Sequence, residues 1–189
     1  PADPVPTPPT PQDTPEADRK SAIGVKTFAE INANFSQMTG VHSAASSVAS
    51  TFTNVQQQLP TDENLEGFLP AHHMGITQLA VAYCSAFVAD EALFNARIPD
   101  VNLAAAPNVA LDANGRDALI DYFTRAVVLE SPAGEPLGSG PSRNEFATVI
   151  NQLIDEVARC DAGCTATDTK NTVIAACSAA LGSAAMLIH

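Results

Sequence analysis

Apolar residues recur every three or four positions along most of this chain, and this spacing limits its possible folds more than any other feature. In residues 43–59 the series is Val48, Phe52, Val55 and Leu59, which falls on one side of an α-helix. No run alternates apolar and polar residues between turns, the pattern of a half-buried strand. The sequence therefore predicts an all-α fold, a helical bundle of about six or seven helices.

Capping residues and Pro or Gly mark the ends of these helices. Thr27 with Glu30, and Ser142 with Glu145, have the capping-box spacing, in which each side chain bonds the other residue's backbone amide. Gly40 is expected to stop the first helix. The predicted helices cover about residues 27–38, 43–59, 70–89, 90–97, 116–129, 142–157 and 168–187. The helix at 70–89 is the most hydrophobic stretch in the middle of the chain, so we expect it to be central. The segment 99–115 is predicted to be an irregular connection.

The first eighteen residues, PADPVPTPPTPQDTPEAD, contain seven of the fourteen prolines. Such a composition does not bury a core and is typical of an extended spacer. We therefore predict a disordered or extended Pro-rich arm at residues 1–20 and a single helical domain at residues 21–189. A docking site for a proline-recognition module is the alternative. The arm, and the lack of an initiator Met, favour a trimmed and exported protein.

The chain carries 21 acidic and 9 basic residues, a net charge of −12. Proteins bind nucleic acid by neutralising phosphates with Lys and Arg, so this balance argues against a nucleic-acid partner. It also argues against an anionic membrane surface. An acidic surface remains compatible with cationic partners, including calcium.

Four cysteines form an even set with three possible pairings: Cys84, Cys160, Cys164 and Cys177. Cys160 and Cys164 are close in sequence, with Gly163 between them, so a local bridge is sterically reasonable. Cys84 and Cys177 lie on apolar faces of two different helices and are expected to meet across the core. The favoured pairing is Cys160–Cys164 with Cys84–Cys177. Reduced thiols and a metal site are the alternatives, and the cysteine spacing does not suit zinc.

Two segments contain residue types that bind metal ions. His72, His73 and Met74 open the third helix, but adjacent histidines on a helix point about 100° apart and no CxxCH motif accompanies them. Capping or packing is the preferred interpretation. Asp112, Asn114 and Asp117 flank Gly115 and resemble part of a calcium loop, without the spacing or terminal Glu of an EF-hand. Asn114 and Asp117 are equally explained as N-cap and first-turn residues of the helix predicted from Arg116. The prediction is no cofactor, with calcium as a weak alternative.

No catalytic motif is recognisable in the sequence. The chain has no GxSxG, HExxH, P-loop or Rossmann glycine pattern. The histidines, at positions 42, 72, 73 and 189, are not associated with a nucleophile in sequence. The scarcity of aromatic residues, 5% with no Trp, favours closely packed helices over an aromatic-lined pocket. We therefore expect a protein that is not an enzyme.

Residues 173–188, VIAACSAALGSAAMLI, contain no charge. A membrane-spanning helix needs about twenty apolar residues, so we predict a buried helix and no membrane span. Ala176, Ala180 and Ala184 recur at every fourth position, which allows close approach of another helix. A tail anchor or a packing surface between subunits is the alternative.

Three segments together resemble a helical segment of large surface or envelope proteins of Gram-negative bacteria. They are GVKTFAEINANFSQMTGV at 24–41, the stretch at 55–88 around His72 and Cys84, and the closing stretch at 160–189. Some of those proteins also carry laminin-G-like, concanavalin-type domains, whose strands are absent from this sequence. The family has no established activity. The resemblance implies an extracellular or periplasmic, cell-surface-associated location.

The leading hypothesis is a non-enzymatic, exported structural or interaction protein. It would be a subunit of an extracellular or cell-surface assembly or filament, as a homo-oligomer or with a surface-assembly partner. One alternative is a surface binding module for a glycan or a cation, using residues 99–115 and the His72 end of the third helix. A further alternative is a cofactor-bearing redox protein that uses His72, His73 or Met74.

Overall fold

The computed structural model describes residues 26–57, 70–127, 142–159 and 163–187, and every regular element in these ranges is an α-helix. The helices are α1 Phe28–Thr39, α2 Ser46–Gln56, α3 Pro70–Ala89, α4 Glu91–Arg97, α5 Pro107–Ala110, α6 Ala113–Val127, α7 Arg143–Val157, α8 Ala166–Leu181 and α9 Ala184–Leu187. The predicted all-α fold is confirmed. Seven of these helices are longer than one turn; α5 was not predicted, and α9 lies within the last predicted helix. The predicted arm at 1–20 lies outside the described residues.

Both predicted capping boxes are present. At the start of α1, the Glu30 carboxylate accepts the Thr27 backbone N–H at 2.8 Å, and at the start of α7 Glu145 does the same for Ser142 at 2.9 Å. A third box at the start of α8 was not predicted, because Asp168 stands where the usual pattern has Glu or Gln. Each box satisfies amides that the first helical turn leaves unpaired.

The capping carboxylates make stability sensitive to acid. The Ser142 backbone N–H, and then its hydroxyl, lower the pKa of Glu145 below its ordinary 4.5; Thr165 lowers the pKa of Asp168 below 3.8 in the same way. A carboxyl group whose pKa is lower in the folded than in the unfolded protein stabilises the fold. This stabilisation is complete at a pH above the unfolded-state pKa and is lost as the pH falls through the folded-state pKa. We therefore expect the urea concentration at the midpoint of unfolding to decrease as the pH is lowered below about 4.5.

The matched variants for this prediction are Glu145→Gln and Asp168→Asn, which keep the shape of each cap and remove its titration. In urea unfolding between pH 2.5 and 6, the double variant should show a flatter pH dependence than the wild type. Parallel curves for the two proteins would contradict the assignment of the acid response to these caps.

The structure corrects two helix boundaries. The region predicted as an irregular connection, 99–115, includes α5, and α6 begins at Ala113 rather than at Arg116. The last predicted helix, 168–187, is divided at Gly182 and Ser183 into α8 and α9. In both places a turn of two residues, 111–112 and 182–183, separates the helical segments.

Two helices form the centre of the described structure. Among the described helices, α3 and α8 share the most extensive contact; α3 also packs against α1, α2 and α4, and α8 against α5, α6 and α7. The sequence predicted a central role for residues 70–89, whereas the structure gives α8 an equal one. The fold therefore consists of two groups of helices joined along the α3–α8 contact.

The core is continuous across this contact and contains few large rings. Phe35 and Tyr83 meet edge to face at 5.8 Å between ring centroids, and Phe87 lies 5.1 Å from Phe94. All four side chains are fully buried. The rest of the core consists mainly of Val, Leu, Ile and Ala. Close packing of small and branched side chains therefore stabilises most of the fold.

Candidate functional site

A buried disulfide joins the two central helices. Cys84 of α3 and Cys177 of α8 are bonded, with their Cα atoms 5.8 Å apart and both side chains inaccessible to solvent. This is the long-range pairing that the sequence favoured. Cys160 lies outside the described residues, so its bridge to Cys164 stays a prediction. The disulfide covalently links the two helix groups at the middle of the core.

One histidine of the pair at the start of α3, His73, contacts the end of α8. The His73 Nε2 atom lies 3.1 Å from the Gly182 carbonyl oxygen, where α8 ends. His72 is half-buried and Met74 is 65% exposed. His73 therefore satisfies a helix-terminal carbonyl, a capping interaction of the kind preferred from the sequence.

The calcium-like segment is built into the start of α6. The Asp112 carboxylate accepts the Gly115 N–H at 2.9 Å, and its carbonyl accepts the Arg116 N–H at 2.9 Å. Asp112 is therefore the N-cap of α6. The sequence had assigned capping to Asn114 and Asp117. That assignment was wrong because the helix begins three residues earlier than expected, and both residues are exposed within it.

The connection between α4 and α6 packs into the core instead of forming an open loop. Val101 and Leu103 are buried, and the Thr169 hydroxyl of α8 donates to the Ala105 carbonyl at 2.6 Å. In the described ranges, no three His, Cys, Asp or Glu side chains converge on a point where they could hold a metal ion. The predicted absence of a cofactor and the weak calcium alternative both stay untested.

The alanine series of the closing segment is split by the break after α8. Ala176 and Ala180 are fully buried in α8, whereas Ala184 is exposed in α9. The first two provide close packing within the domain, because α8 lies against α3, α5, α6 and α7. No single described helix is long and apolar enough to cross a membrane, although α3 and α4, bent by 94°, meet the length and composition test together.

A partly buried polar network lies between α1 and α3. The Tyr83 hydroxyl donates to the Asn32 side-chain oxygen at 2.6 Å and lies 3.3 Å from the Ser36 hydroxyl. Burial raises the pKa of Tyr83, an effect that hydrogen bonds from Ser36 and Ser43 oppose. The phenol therefore stays neutral and fixes the packing of α1 on α3.

A second polar cluster covers the C-terminal end of α1. Arg97 Nη1 donates to the carbonyl oxygens of Gln37 and Met38, both at 3.2 Å. The Tyr122 hydroxyl also donates to the Met38 carbonyl. Gly40, predicted as the helix stop, adopts φ +73°, and a Cβ there would lie 2.7 Å from Arg97 Nη2. A cation at the negative end of a helix dipole is favourable.

Removing the Arg97 guanidinium should destabilise the domain modestly. The Arg97→Met variant keeps the apolar stem and loses the donors; we expect a loss of about 1 kcal/mol, since the bonds are charge-assisted but partly exposed to solvent. Arg159→Met is the matched control, because Arg159 pairs with its near neighbour Glu156 at an exposed position. Equal effects of the two variants in urea unfolding would contradict the capping role.

The two ends of the described chain are joined. The Lys26 backbone N–H donates to the Leu187 carbonyl at 2.7 Å, and its Nζ donates to the Met186 carbonyl at 3.1 Å. Burial lowers the pKa of Lys26, and the nearby charge of Glu30 opposes this shift. The residue that follows the N-terminal segment therefore holds the last described helix in place.

No known family of proteins matches this chain, and neither characterised proteins nor solved structures show a significant match to it. The resemblance to bacterial envelope proteins accordingly remains a hypothesis. What the chain does has to be inferred from its own residues.

The residues that join distant parts of the fold were missed by the sequence analysis. Lys26, Arg97 and Tyr122 make contacts between residues 60 to 160 positions apart. No local motif signals such contacts, because their acceptors are backbone carbonyls at helix ends. The sequence feature that could have identified Lys26 and Arg97 is the small number of basic residues. The chain has only nine Lys and Arg residues, so each one near an apolar segment is a candidate for a structural role.

Proposed function

We propose that this protein is an exported, non-enzymatic structural or interaction domain that serves as a subunit of a cell-surface or extracellular assembly. The observation that carries the proposal is the disulfide between Cys84 and Cys177 at the centre of the core. Disulfides of this kind persist in oxidising compartments and are rare in the cytosol. The Pro-rich composition of residues 1–20 supports a tethered domain.

The use of the polar side chains also supports a structural role. In the described part of the chain, Arg116 pairs with Asp155 at 2.7 Å, Lys170 pairs with Glu91 at 2.7 Å, and Arg143 pairs with Asp121. Each of these pairs connects two different helices. Charged groups are thus employed to fix the helices relative to one another, as a subunit of an assembly requires.

The experiment compares the full chain with a variant lacking residues 1–20, at several concentrations, by light scattering. Assembly through the arm predicts a larger mass for the full chain than for the shortened one. Two identical monomers would contradict this form of the proposal. Addition of calcium to both proteins is the control for a cation-binding module: a calcium-dependent rise in Tm would favour that function instead.

A second experiment tests export directly. Cells that produce the protein are lysed directly into denaturant that contains an alkylating reagent, so that every free thiol reacts, and the number of modified cysteines is measured by mass spectrometry. An exported protein should leave the Cys84 and Cys177 thiols unmodified unless a reductant is added. Modification of all four cysteines without reductant would contradict the proposed location.

A further inference from the structure

The sulfur atoms of the Cys84–Cys177 disulfide are unreachable from solvent in the folded domain. Both side chains have no exposed surface, and the two helices that carry them share the most extensive contact among the described helices. The neighbouring turns on either side of each cysteine are fully buried as well, at Ala80 and Phe87 in α3 and at Val173 and Ala180 in α8. Access to the sulfur atoms therefore requires α3 and α8 to separate.

The chemistry of disulfide formation requires such access. A disulfide forms and breaks by thiol–disulfide exchange, in which a thiolate attacks a sulfur atom directly and a mixed disulfide is the intermediate. The Cys84 and Cys177 thiols lose two protons and two electrons to a disulfide oxidant, which leaves as two thiols. No oxidant fits beside a sulfur atom that has no exposed surface, so the bond forms while α3 and α8 are apart.

The bond itself changes how often the two helices separate. In the reduced chain, residues 84 and 177 move independently once the helices are apart, so separation gains the full conformational freedom of the unfolded chain. In the oxidised chain, the loop between positions 93 residues apart stays closed even when the protein unfolds. The open state of the oxidised chain is therefore about 1,000-fold less populated than that of the reduced chain.

We propose that the Cys84–Cys177 pair is a one-way redox switch of folding. A disulfide oxidant forms the bond while the reduced domain is open, and the packing of α3 on α8 then shields the bond from thiol reductants. The redox state of the surroundings during folding thus decides whether the domain stays closed afterwards. This inference concerns the folding of a single chain, so it holds whether or not copies assemble.

The test measures how strongly folding protects these two cysteines in the full-length protein. Oxidised protein is treated with dithiothreitol and its free thiols are then alkylated; reduced protein is treated with the alkylating reagent directly. Each reaction is followed in native buffer and in denaturing urea, and mass spectrometry of peptides distinguishes the four cysteines. The protection factor is the reaction rate in urea divided by the rate in native buffer.

The protection factor of Cys84 and Cys177 should be about 1,000-fold larger in the oxidised protein than in the reduced protein. The predicted Cys160–Cys164 bridge is the comparison within the same chain, because Cys164 is half-buried and lies between the exposed Gly163 and Thr165. Its reduction in native buffer should be much faster than that of the buried bond. Protection factors of Cys84 and Cys177 that agree within about tenfold between the two redox states would overturn the proposal.

Two glycine variants test whether reduction passes through separation of the packed helices. A Cβ at Gly115 would lie 2.1 Å from the Ala110 carbonyl oxygen, whereas a Cβ at Gly75 would lie 3.5 Å from Val55 Cγ1. Because the open population follows the free energy of unfolding, Gly115→Ala should speed reduction of the buried bond by about 30- to 100-fold, and Gly75→Ala should slow it by about two- to fivefold. Unchanged rates in both variants would show local access to the sulfur atoms and would contradict the switch.

Discussion

Removal of the Cys84–Cys177 disulfide should lower the free energy of unfolding by about 4 to 5 kcal/mol, because the bond closes a long loop in the unfolded chain. The two residues are 93 positions apart, and the entropy lost on closing a loop grows with its length. Domains of this size have total stabilities of about 5 to 15 kcal/mol. The Cys84→Ala, Cys177→Ala variant should therefore be marginally stable at 37 °C.

The measurement is urea unfolding of the wild type and the double variant, monitored by circular dichroism. The matched control is Cys160→Ala with Cys164→Ala. Their predicted bridge spans only four positions, so its loss should cost about 2 kcal/mol. If the short-range variant is destabilised as much as the long-range one, the disulfide does not act by joining the two helix groups.

Substitution of Gly115 by Ala should destabilise the domain by about 2 to 3 kcal/mol, although alanine normally favours a helix. A Cβ at this position would lie 2.1 Å from the Ala110 carbonyl oxygen. That oxygen belongs to the backbone of α5, so it cannot rotate away as a side chain could. The end of α5 and the start of α6 would have to separate.

Gly75 is the matched control, since it is also helical and buried. A Cβ there would meet Val55 Cγ1 at 3.5 Å, an ordinary van der Waals distance. Gly75→Ala should therefore stabilise the domain by about 0.5 to 1 kcal/mol, the usual gain in a helix. Thermal unfolding of both variants should give Tm shifts of opposite sign. A Tm for Gly115→Ala equal to or above that of the wild type would contradict the close approach of α5 to α6.

The Gly115 prediction also bears on the calcium-like segment. Asp112 caps α6, and Gly115 is required by the nearby carbonyl of Ala110. Two of the four residues of the apparent ion-binding pattern, Asp112 and Gly115, thus have a structural explanation. A helix start and a fragment of a calcium loop share residue types, because both need short side chains with oxygen atoms and a residue without a Cβ.

Local patterns were sufficient where the interaction itself is local. The capping boxes at Thr27 and Ser142, the stop at Gly40 and the apolar faces of the longer helices all depend on residues within four positions of one another. The third box was missed because Asp168 is shorter than the usual Glu. It still reaches the Thr165 backbone N–H, at 2.7 Å.

Long-range contacts divided into those with a chemical signal and those without. The pairing of Cys84 with Cys177 could be predicted because the chain has only four cysteines and these two lie on apolar faces of different helices. The clamp of Lys26 on α9 and the capping of α1 by Arg97 could not. Their acceptors are backbone carbonyls, which every residue has, so the sequence offers many equivalent partners.

The sequence by itself determined that this chain forms helices, approximately where most of them begin and end, and which cysteines bridge the core. These properties follow from side-chain spacing and from the chemistry of one residue type. Only the tertiary structure decided that α8 shares the centre with α3, that α5 forces a glycine at the start of α6, and that the closing helix breaks at Gly182. The first and third depend on contacts between distant segments, α3 with α8 and His73 with the Gly182 carbonyl. The second depends on the turn between α5 and α6, whose path no side-chain pattern specifies.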